Sequence, residues 1–154
     1  MIQLKKMNKL SFEIKVAAHL SKKNNRPIFK NRHTGRAFIG KNPALAMQET
    51  KLENEFRKQW QLYCDSLKRD YSPIGFPIHI KMIFFMDNFY NKSGSVNKKM
   101  PDLSNLYELP QDSLQKAGVI EDDRLVYSHD GSRRLPWHEN ILLIEISRFE
   151  EDLK

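Results

Sequence analysis

The residues best suited to chemistry lie in one stretch, residues 101–134, which is acidic within a basic protein. Between Pro101 and Asp130 there are seven acidic and two basic residues, a net charge of −5, whereas the rest of the chain carries +12. Carboxylate oxygens bind hard divalent cations, and Lys and Arg bind phosphates. The pattern is therefore expected of an enzyme that binds a polyanion and holds a cation where the reaction occurs. The seven are Asp102, Glu108, Asp112, Glu121, Asp122, Asp123 and Asp130.

Two sets of these carboxylates could converge on a metal ion. Asp102 precedes an expected helix that Ser104 can cap, and the pair Asp122 and Asp123 precedes an expected strand. In an extended segment, alternation would turn only one of that pair toward Asp102. Mg²⁺ or Mn²⁺ held there would polarise a scissile phosphate and activate a bound water. The alternative is that the acidic loop is merely solvated and that Asp102 only favours the positive end of the helix.

Basic residues flank the acidic stretch and form a second group near the N-terminus. The net charge of +7 and an isoelectric point of about 9.5 indicate a nucleic-acid partner. A solvated basic edge that protects strands from aggregation explains the N-terminal group equally well. The flanking residues are Lys98, Lys99, Arg133 and Arg134, and the N-terminal group is Lys22, Lys23, Arg26, Lys30, Arg32 and Arg36.

Other chemistries lack the residues that they need. The five histidines are dispersed, and no nucleophile motif or phosphate-binding glycine loop is present. The single cysteine, Cys64, cannot form an internal disulfide, and no Cys/His cluster indicates zinc. No apolar run is long enough to span a membrane, and no signal peptide is recognisable. These features favour a reducing, cytoplasmic setting.

The N-terminal half predicts a strand, a hairpin and a long helix. Alternating apolar residues predict a strand over Ser11–Leu20, and residues 28–39 predict a hairpin whose turn ends at Gly35. Asn42 can cap a helix that begins at Pro43. Apolar residues at helical spacing extend that helix to Lys68, and its aromatic stripe is expected in the core.

The C-terminal half predicts two buried strands around the acidic stretch. They are Pro77–Met86 and Asn140–Phe149, and both contain runs that are apolar on both faces. Asp87–Met100 is polar and predicts a mobile loop. A short strand is expected at Arg124–Ser128, followed by a turn over Asp130–Pro136.

The helix between these strands contains a proline. It is expected near residues 105–117 and should end at Gly118. Pro110 requires either a kink or a turn at 104–108 followed by a helix from Pro110 to Ala117. If the turns are continuous, Glu108 and Asp112 share one face.

Together these elements predict an α+β fold. We expect a mixed sheet of about five strands with two main helices packed on one face. The length fits a single domain over residues 1–154, with its core at about residues 11–149.

The acidic stretch resembles the signature of the RusA family of Holliday-junction resolvases of bacteria and their phages. That signature has a D-x-D-N-L segment, a helix with D-x-L, and a D-D pair before a strand. The matching segments here are Asp102-Leu103-Ser104-Asn105-Leu106, Asp112-Ser113-Leu114 and Asp122-Asp123. Weaker similarity includes Asn24-Asn25-Arg26 and Gly35-Arg36, so the resemblance covers roughly residues 12–147.

The resemblance implies a Mg²⁺- or Mn²⁺-dependent endonuclease that nicks branched DNA, such as a four-way junction, symmetrically as a homodimer in recombination and repair. It implies that Asp102 and Asp123 bind metal and that Asp112 is a further catalytic acid, with Asp122 an alternative ligand to Asp123. The DNA-binding residues that it suggests, with their basic neighbours, are Asn25, Arg26, Lys98, Lys99, Asn105, Arg133 and Arg134.

Two positions depart from the signature. Ser104 replaces its second aspartate, and Glu108 stands where the typical enzyme has a functional lysine. One hypothesis is a swap, in which Glu108 supplies the missing carboxylate and a nearby Lys or Arg supplies the cation. The alternatives are a catalytically weakened or inactive module that binds branched DNA, and a basic protein-interaction domain.

Overall fold

A computed structural model of the chain describes residues 10–22, 28–39 and 42–150. Among these residues, no helix is both long enough and apolar enough to cross a membrane. A short 3-10 turn, Asp123–Leu125, precedes β5. The elements are β1 (Leu10–Lys15), β2 (Ile28–Lys30), β3 (Ala37–Ile39), α1 (Pro43–Ser66), β4 (Ile78–Met86), α2 (Leu103–Lys116), β5 (Val126–Ser128), β6 (Arg133–Pro136) and β7 (Ile141–Arg148).

Five strands form one mixed sheet around β4. Its order is β1-β7-β4, with β7 antiparallel to both neighbours, and β5 and β6 share the other edge of β4. Both run parallel to β4: β5 lies beside its first two residues and β6 beside its last four. The prediction of a mixed sheet of about five strands is confirmed. The predicted turn over Asp130–Pro136 is wrong in its second half, because β6 occupies Arg133–Pro136.

The turn between β5 and β6 passes close to the middle of β4. Gly131 has a φ of 83°, and a Cβ there would lie 3.2 Å from Cδ of Lys81. Ser132 Oγ accepts a hydrogen bond from the backbone N–H of Met82 at 2.9 Å. Glycine is needed here because the left-handed backbone and the close lysine leave no easy place for a side chain.

The two helices cover one face of the sheet, as predicted. Alternate residues of β1, β4 and β7 are buried on that face and pack against the apolar stripes of α1 and α2. Phe12 of β1 meets Phe56 of α1 edge to face, with ring centroids 5.3 Å apart. Trp60 is also buried, so the predicted aromatic stripe lies in the core.

The N-terminal elements follow the prediction with adjusted ends. Asn42 caps α1 by accepting a hydrogen bond from the N–H of Ala44 at 2.9 Å, and the helix ends at Ser66. β2 and β3 form a separate two-stranded sheet, so the hairpin is confirmed. The predicted strand Ser11–Leu20 is too long at its end. After Lys15 the chain leaves the sheet, and Asn140 donates through Nδ2 to the carbonyl of Ala17 at 3.0 Å.

α2 is one continuous helix despite its proline. It contains Pro110, so the predicted alternative in which a helix starts at Pro110 is wrong. The lost hydrogen bond is tolerated because the apolar face of Leu106, Leu109 and Leu114 remains buried. As expected, Gly118 terminates the helix, whose last residue is Lys116. A Schellman pair closes it, in which the N–H groups of Gly118 and Val119 bond the carbonyls of Gln115 and Leu114.

Candidate active site

The acidic stretch begins at the N-terminus of α2. Asp102 occupies the N-cap position, and its backbone carbonyl accepts a hydrogen bond from the N–H of Asn105 at 3.0 Å. Its exposed side chain makes no capping hydrogen bond. The prediction that Ser104 caps the helix is wrong, because Ser104 lies inside the first turn. The carboxylate of Asp102 therefore faces solvent beside the positive end of the helix.

β6 brings two predicted phosphate-binding residues to this end of α2. Nη1 of Arg134 donates to the carbonyl of Pro101 at 2.8 Å. Arg133, its neighbour on the strand, is exposed. Arg134 therefore fixes the chain immediately before Asp102 and also places its positive charge there.

Three polar residues follow one another along one face of α2. Ser104, Glu108 and Asp112 are spaced four apart in the continuous helix, so they share that face, as expected for Glu108 and Asp112. Ser104 and Glu108 are exposed, and Asp112 is partly buried. Nζ of Lys22 forms an ion pair with Oδ2 of Asp112. The ammonium group of Lys22, a member of the N-terminal basic group, thus binds the face of α2 one turn away from Glu108.

The segment after β1 positions Lys22. His19 donates through Nε2 to the carbonyl of Phe85 at 2.7 Å, because a carbonyl oxygen can only accept. Gln48 donates to the carbonyl of Ala18 at 2.6 Å. These contacts hold Ala18 and His19 against the end of β4 and the first turns of α1. No local sequence pattern links Lys22 to Asp112, and only the fold brings them together.

The pair Asp122 and Asp123 lies in the turn after α2. Asp122 has an extended backbone, whereas Asp123 begins the 3-10 turn. The predicted strand Arg124–Ser128 therefore begins late, because Arg124 and Leu125 belong to that turn. Arg124 holds both carboxylate oxygens of Asp122, through Nε at 3.0 Å and Nη2 at 2.7 Å. These hydrogen bonds, and a backbone one from Arg124, hold the pKa of Asp122 well below its usual range. Asp123 is exposed beside this pair.

An aromatic stack that the sequence did not indicate joins α2 to the end of β5. The rings of Tyr107 and His129 are nearly parallel, with centroids 4.2 Å apart. Burial lowers the pKa of His129, and the nearby His79 lowers it further. His129 Nδ1 is buried without a hydrogen-bond partner in the part of the chain that the structure describes. The stack fixes α2 over the β5–β6 edge. Along the chain, Tyr107 lies between Asp102 and the Asp122–Asp123 turn.

The segment 87–100, predicted as a mobile loop, contains a small hydrogen-bonded hairpin. Tyr90 and Val96 form an antiparallel bridge across it. The predicted DNA-binding residues Lys98 and Lys99 follow the bridge and are exposed. They lie immediately before Pro101 and hence near the start of α2. Asn25 and Arg26, the other predicted DNA contacts, lie outside the described residues.

The predicted metal ligands do not form one cluster. Across residues 10–22, 28–39 and 42–150, no three His, Cys, Asp or Glu side chains are grouped so that they could hold a metal ion. Asp112 and Asp122 are engaged by Lys22 and Arg124. The remaining predicted ligands, Asp102, Glu108 and Asp123, are exposed carboxylates, the chemical type that suits Mg²⁺, which often takes one or two carboxylates together with substrate phosphates and water. Their donor chemistry fits such an ion, although the described residues do not gather them into a complete ligand set.

The fold and this surface define an α+β domain. Its helix α2 carries carboxylates, and lysine and arginine side chains lie next to them. The model of the family described as "Endodeoxyribonuclease RusA" matches residues 21–140. That span is most of the chain and includes every predicted catalytic, metal-binding and DNA-binding residue, so the chain belongs to the RusA endodeoxyribonuclease family. The resemblance seen in the sequence is thereby confirmed. A comparison with curated proteins gives no match.

Proposed function

We propose that the chain is a metal-dependent endonuclease that resolves Holliday junctions or other branched DNA by paired nicks, in recombination or repair. The observation that carries the proposal is the RusA match over residues 21–140, within which the acidic stretch follows the order of the family signature. The basic charge of the rest of the chain supports DNA as the substrate.

In this proposal Asp102 and Asp123 would hold Mg²⁺ or Mn²⁺ together with the DNA substrate. The ion, when bound, would polarise the scissile phosphate and activate a water molecule for attack. Asp122 would be the alternative ligand to Asp123, and Glu108 would supply the carboxylate that is missing at Ser104. Asp112 serves the site by holding Lys22, whose positive charge balances the acidic face of α2.

The DNA backbone is bound by cations and amides around the start of α2. Lys98, Lys99 and Arg133 are exposed there and would contact phosphates. Arg134 and Asn105 lie close to Asp102 and would orient the phosphate that is cut. Asn25 and Arg26 would extend the contact from the N-terminal basic group.

Paired nicks require two sites, so we propose a C2 homodimer of a single nuclease domain that spans residues 1–154. A chromosomal or phage DNA substrate would place its action in the cytoplasm of a bacterial cell.

A specific observation favours a second candidate function. Ser104 replaces a carboxylate, Glu108 replaces a cation, and the described residues offer no group of three metal ligands. A chain with this site could bind branched DNA without cutting it efficiently.

The test is nicking of a labelled four-way junction beside a linear duplex of the same sequence. Wild type and Asp123→Asn would be incubated with Mg²⁺, Mn²⁺ or EDTA. We expect paired nicks in the junction alone, abolished by EDTA and by the substitution. Junction binding without nicks under any metal would instead establish the non-cutting module. Equal, weak binding to junction and duplex would reject both.

A further inference from the structure

The connection between β4 and α2 contains a hairpin with a defined backbone. The N–H of Asn91 bonds the carbonyl of Ser95 at 2.7 Å, and the N–H of Asn97 bonds the carbonyl of Phe89 at 3.0 Å. Gly94, with a φ of 87°, makes the turn between them. The side chain of Asn97 also donates to the carbonyl of Asn88 at 3.1 Å. This hairpin, residues 88–97, is therefore a preorganised structure.

The hairpin presents an apolar pair to solvent. Its hydrogen bonds flank Tyr90 and Val96, so these two residues form a non-hydrogen-bonded cross-strand pair. In such a pair the side chains lie on the same side of the ribbon and close together. Tyr90 is 52% exposed and Val96 is 50% exposed. The contact of this segment with the hydrophobic core is made by the neighbouring residues Phe89 and Met100, not by the apolar pair.

Positive charge surrounds the apolar pair. The segment 87–100 has three lysines, Lys92, Lys98 and Lys99, against one aspartate, Asp87. All three lysines are exposed. An apolar pair flanked by lysines complements DNA in which bases are accessible between phosphates, because the bases offer apolar faces and the phosphates offer negative charge.

The hairpin is also fixed in relation to the candidate active site. It begins directly after β4 and ends four residues before Pro101, whose carbonyl Arg134 holds. Asp102 follows at the N-cap of α2. Bases that contact Tyr90 and Val96 would therefore belong to nucleotides near the phosphate that Asp102 approaches.

We propose that the hairpin 88–97 is a branch-point wedge, in which Tyr90 and Val96 insert against unstacked bases at the centre of a DNA junction while Lys92, Lys98 and Lys99 bind the adjoining phosphates. This proposal rests on the proposed function and adds the element that selects branched over linear DNA. A linear duplex keeps its bases stacked, so opening it for the same wedge costs free energy that a branch point does not demand.

The test uses a four-way junction with 2-aminopurine beside the branch point and a second junction with the probe in the middle of one arm. Wild type should raise the fluorescence at the branch point, where the base becomes unstacked, and leave the arm unchanged. Tyr90→Ala and, independently, Val96→Ser should reduce that rise. They should weaken junction binding by at least about fivefold while duplex binding changes little.

Two controls separate the wedge from charge and from folding. Tyr71→Ala removes an aromatic residue of similar exposure, 48%, from the connection that enters β4 at its other end, and should leave both signals at the wild-type level. Lys98→Ala/Lys99→Ala should weaken junction and duplex binding alike and reduce the salt dependence of both. Far-UV circular dichroism of each variant would verify the fold.

The outcomes distinguish the wedge from the proposed function. Junction-selective binding or nicking with no change in branch-point fluorescence, or with Tyr90→Ala and Val96→Ser equal to wild type, overturns the wedge alone. Failure of wild type to prefer a junction over a duplex overturns both. Loss of a dimer in Tyr90→Ala without DNA, seen by sedimentation, would assign the pair to contact between two copies and also overturn the wedge.

Discussion

The ammonium group of Lys22 pairs with the carboxylate of Asp112, although ninety residues separate them in the chain. The side chain of Lys22 is only 13% exposed, and that of Asp112 is 34% exposed. This contact joins the N-terminal basic group to the acidic face of α2. It also means that the carboxylate of Asp112, for which the family resemblance implies a catalytic role, is already paired with a cation.

We expect Asp112→Ala to lower the free energy of unfolding by about 1–2 kcal/mol, because Lys22 would remain poorly solvated and unpaired. Lys22→Met/Asp112→Ala should be less destabilised than the sum of the single variants. Urea unfolding of the four proteins gives the coupling energy of this cycle. A coupling energy near zero would mean that the ion pair does not contribute to stability.

We expect Asp123→Asn to weaken Mn²⁺ binding by at least about tenfold and Asp122→Asn to weaken it less. The reason is that Arg124 already holds both oxygens of Asp122, through Nε at 3.0 Å and Nη2 at 2.7 Å. Titration calorimetry with Mn²⁺ measures both affinities. If Asp122→Asn has the larger effect, the assignment of the two aspartates is reversed.

Removal of Arg124 tests the same pair directly. Arg124→Met should raise the pKa of Asp122 toward the ordinary value of 3.8, because its main stabilising hydrogen bonds are lost. Carboxyl-carbon NMR over a pH titration would follow Asp122. An unchanged pKa would show that another group stabilises its charged form.

The swap hypothesis predicts opposite effects at two positions on α2. Glu108→Ala should weaken Mn²⁺ binding, because it removes the carboxylate that replaces the missing one. Ser104→Asp should tighten it, because it restores a carboxylate one turn earlier on the same face. Gln115→Ala, an exposed substitution near the end of α2, is the control. If Glu108→Ala binds Mn²⁺ as tightly as wild type, the swap is rejected.

Stability should fall on acidification below about pH 6.5. Burial lowers the pKa of His19 and of His129 from the ordinary value of 6.5. The unfolded chain therefore binds protons at a higher pH than the folded chain. The free energy of unfolding is unaffected by these groups well above pH 6.5 and decreases as the pH falls toward their lowered values.

Urea unfolding at pH 7.5 and at pH 5.5 measures this dependence in wild type and in the His19→Gln and His129→Gln variants. Each substitution should make stability less sensitive to pH, whereas His33→Gln, at an exposed turn position, should not. A pH dependence that persists undiminished in both variants would assign it to other groups.

The elements were predictable where the local pattern decides them. Asn42-Pro43 starts α1, Gly118 ends α2, and apolar runs identify β4 and β7, because caps and buried strands depend on nearby residues. β6 was missed because its four residues, Arg-Arg-Leu-Pro, have no strand periodicity. They are extended only because the free edge of β4 offers hydrogen-bonding groups beside them.

For the candidate site, the sequence alone determined the charge pattern, the carboxylates and the signature that places the chain in the RusA family. These depend on residue types and spacing along the chain. The tertiary structure decided which carboxylates are already occupied, through Lys22 on Asp112, and which rings stack, through His129 on Tyr107. Those pairs are 90 and 22 residues apart in the chain. Their side chains come together only because the segment after β1, helix α2 and the β5–β6 edge pack on one sheet.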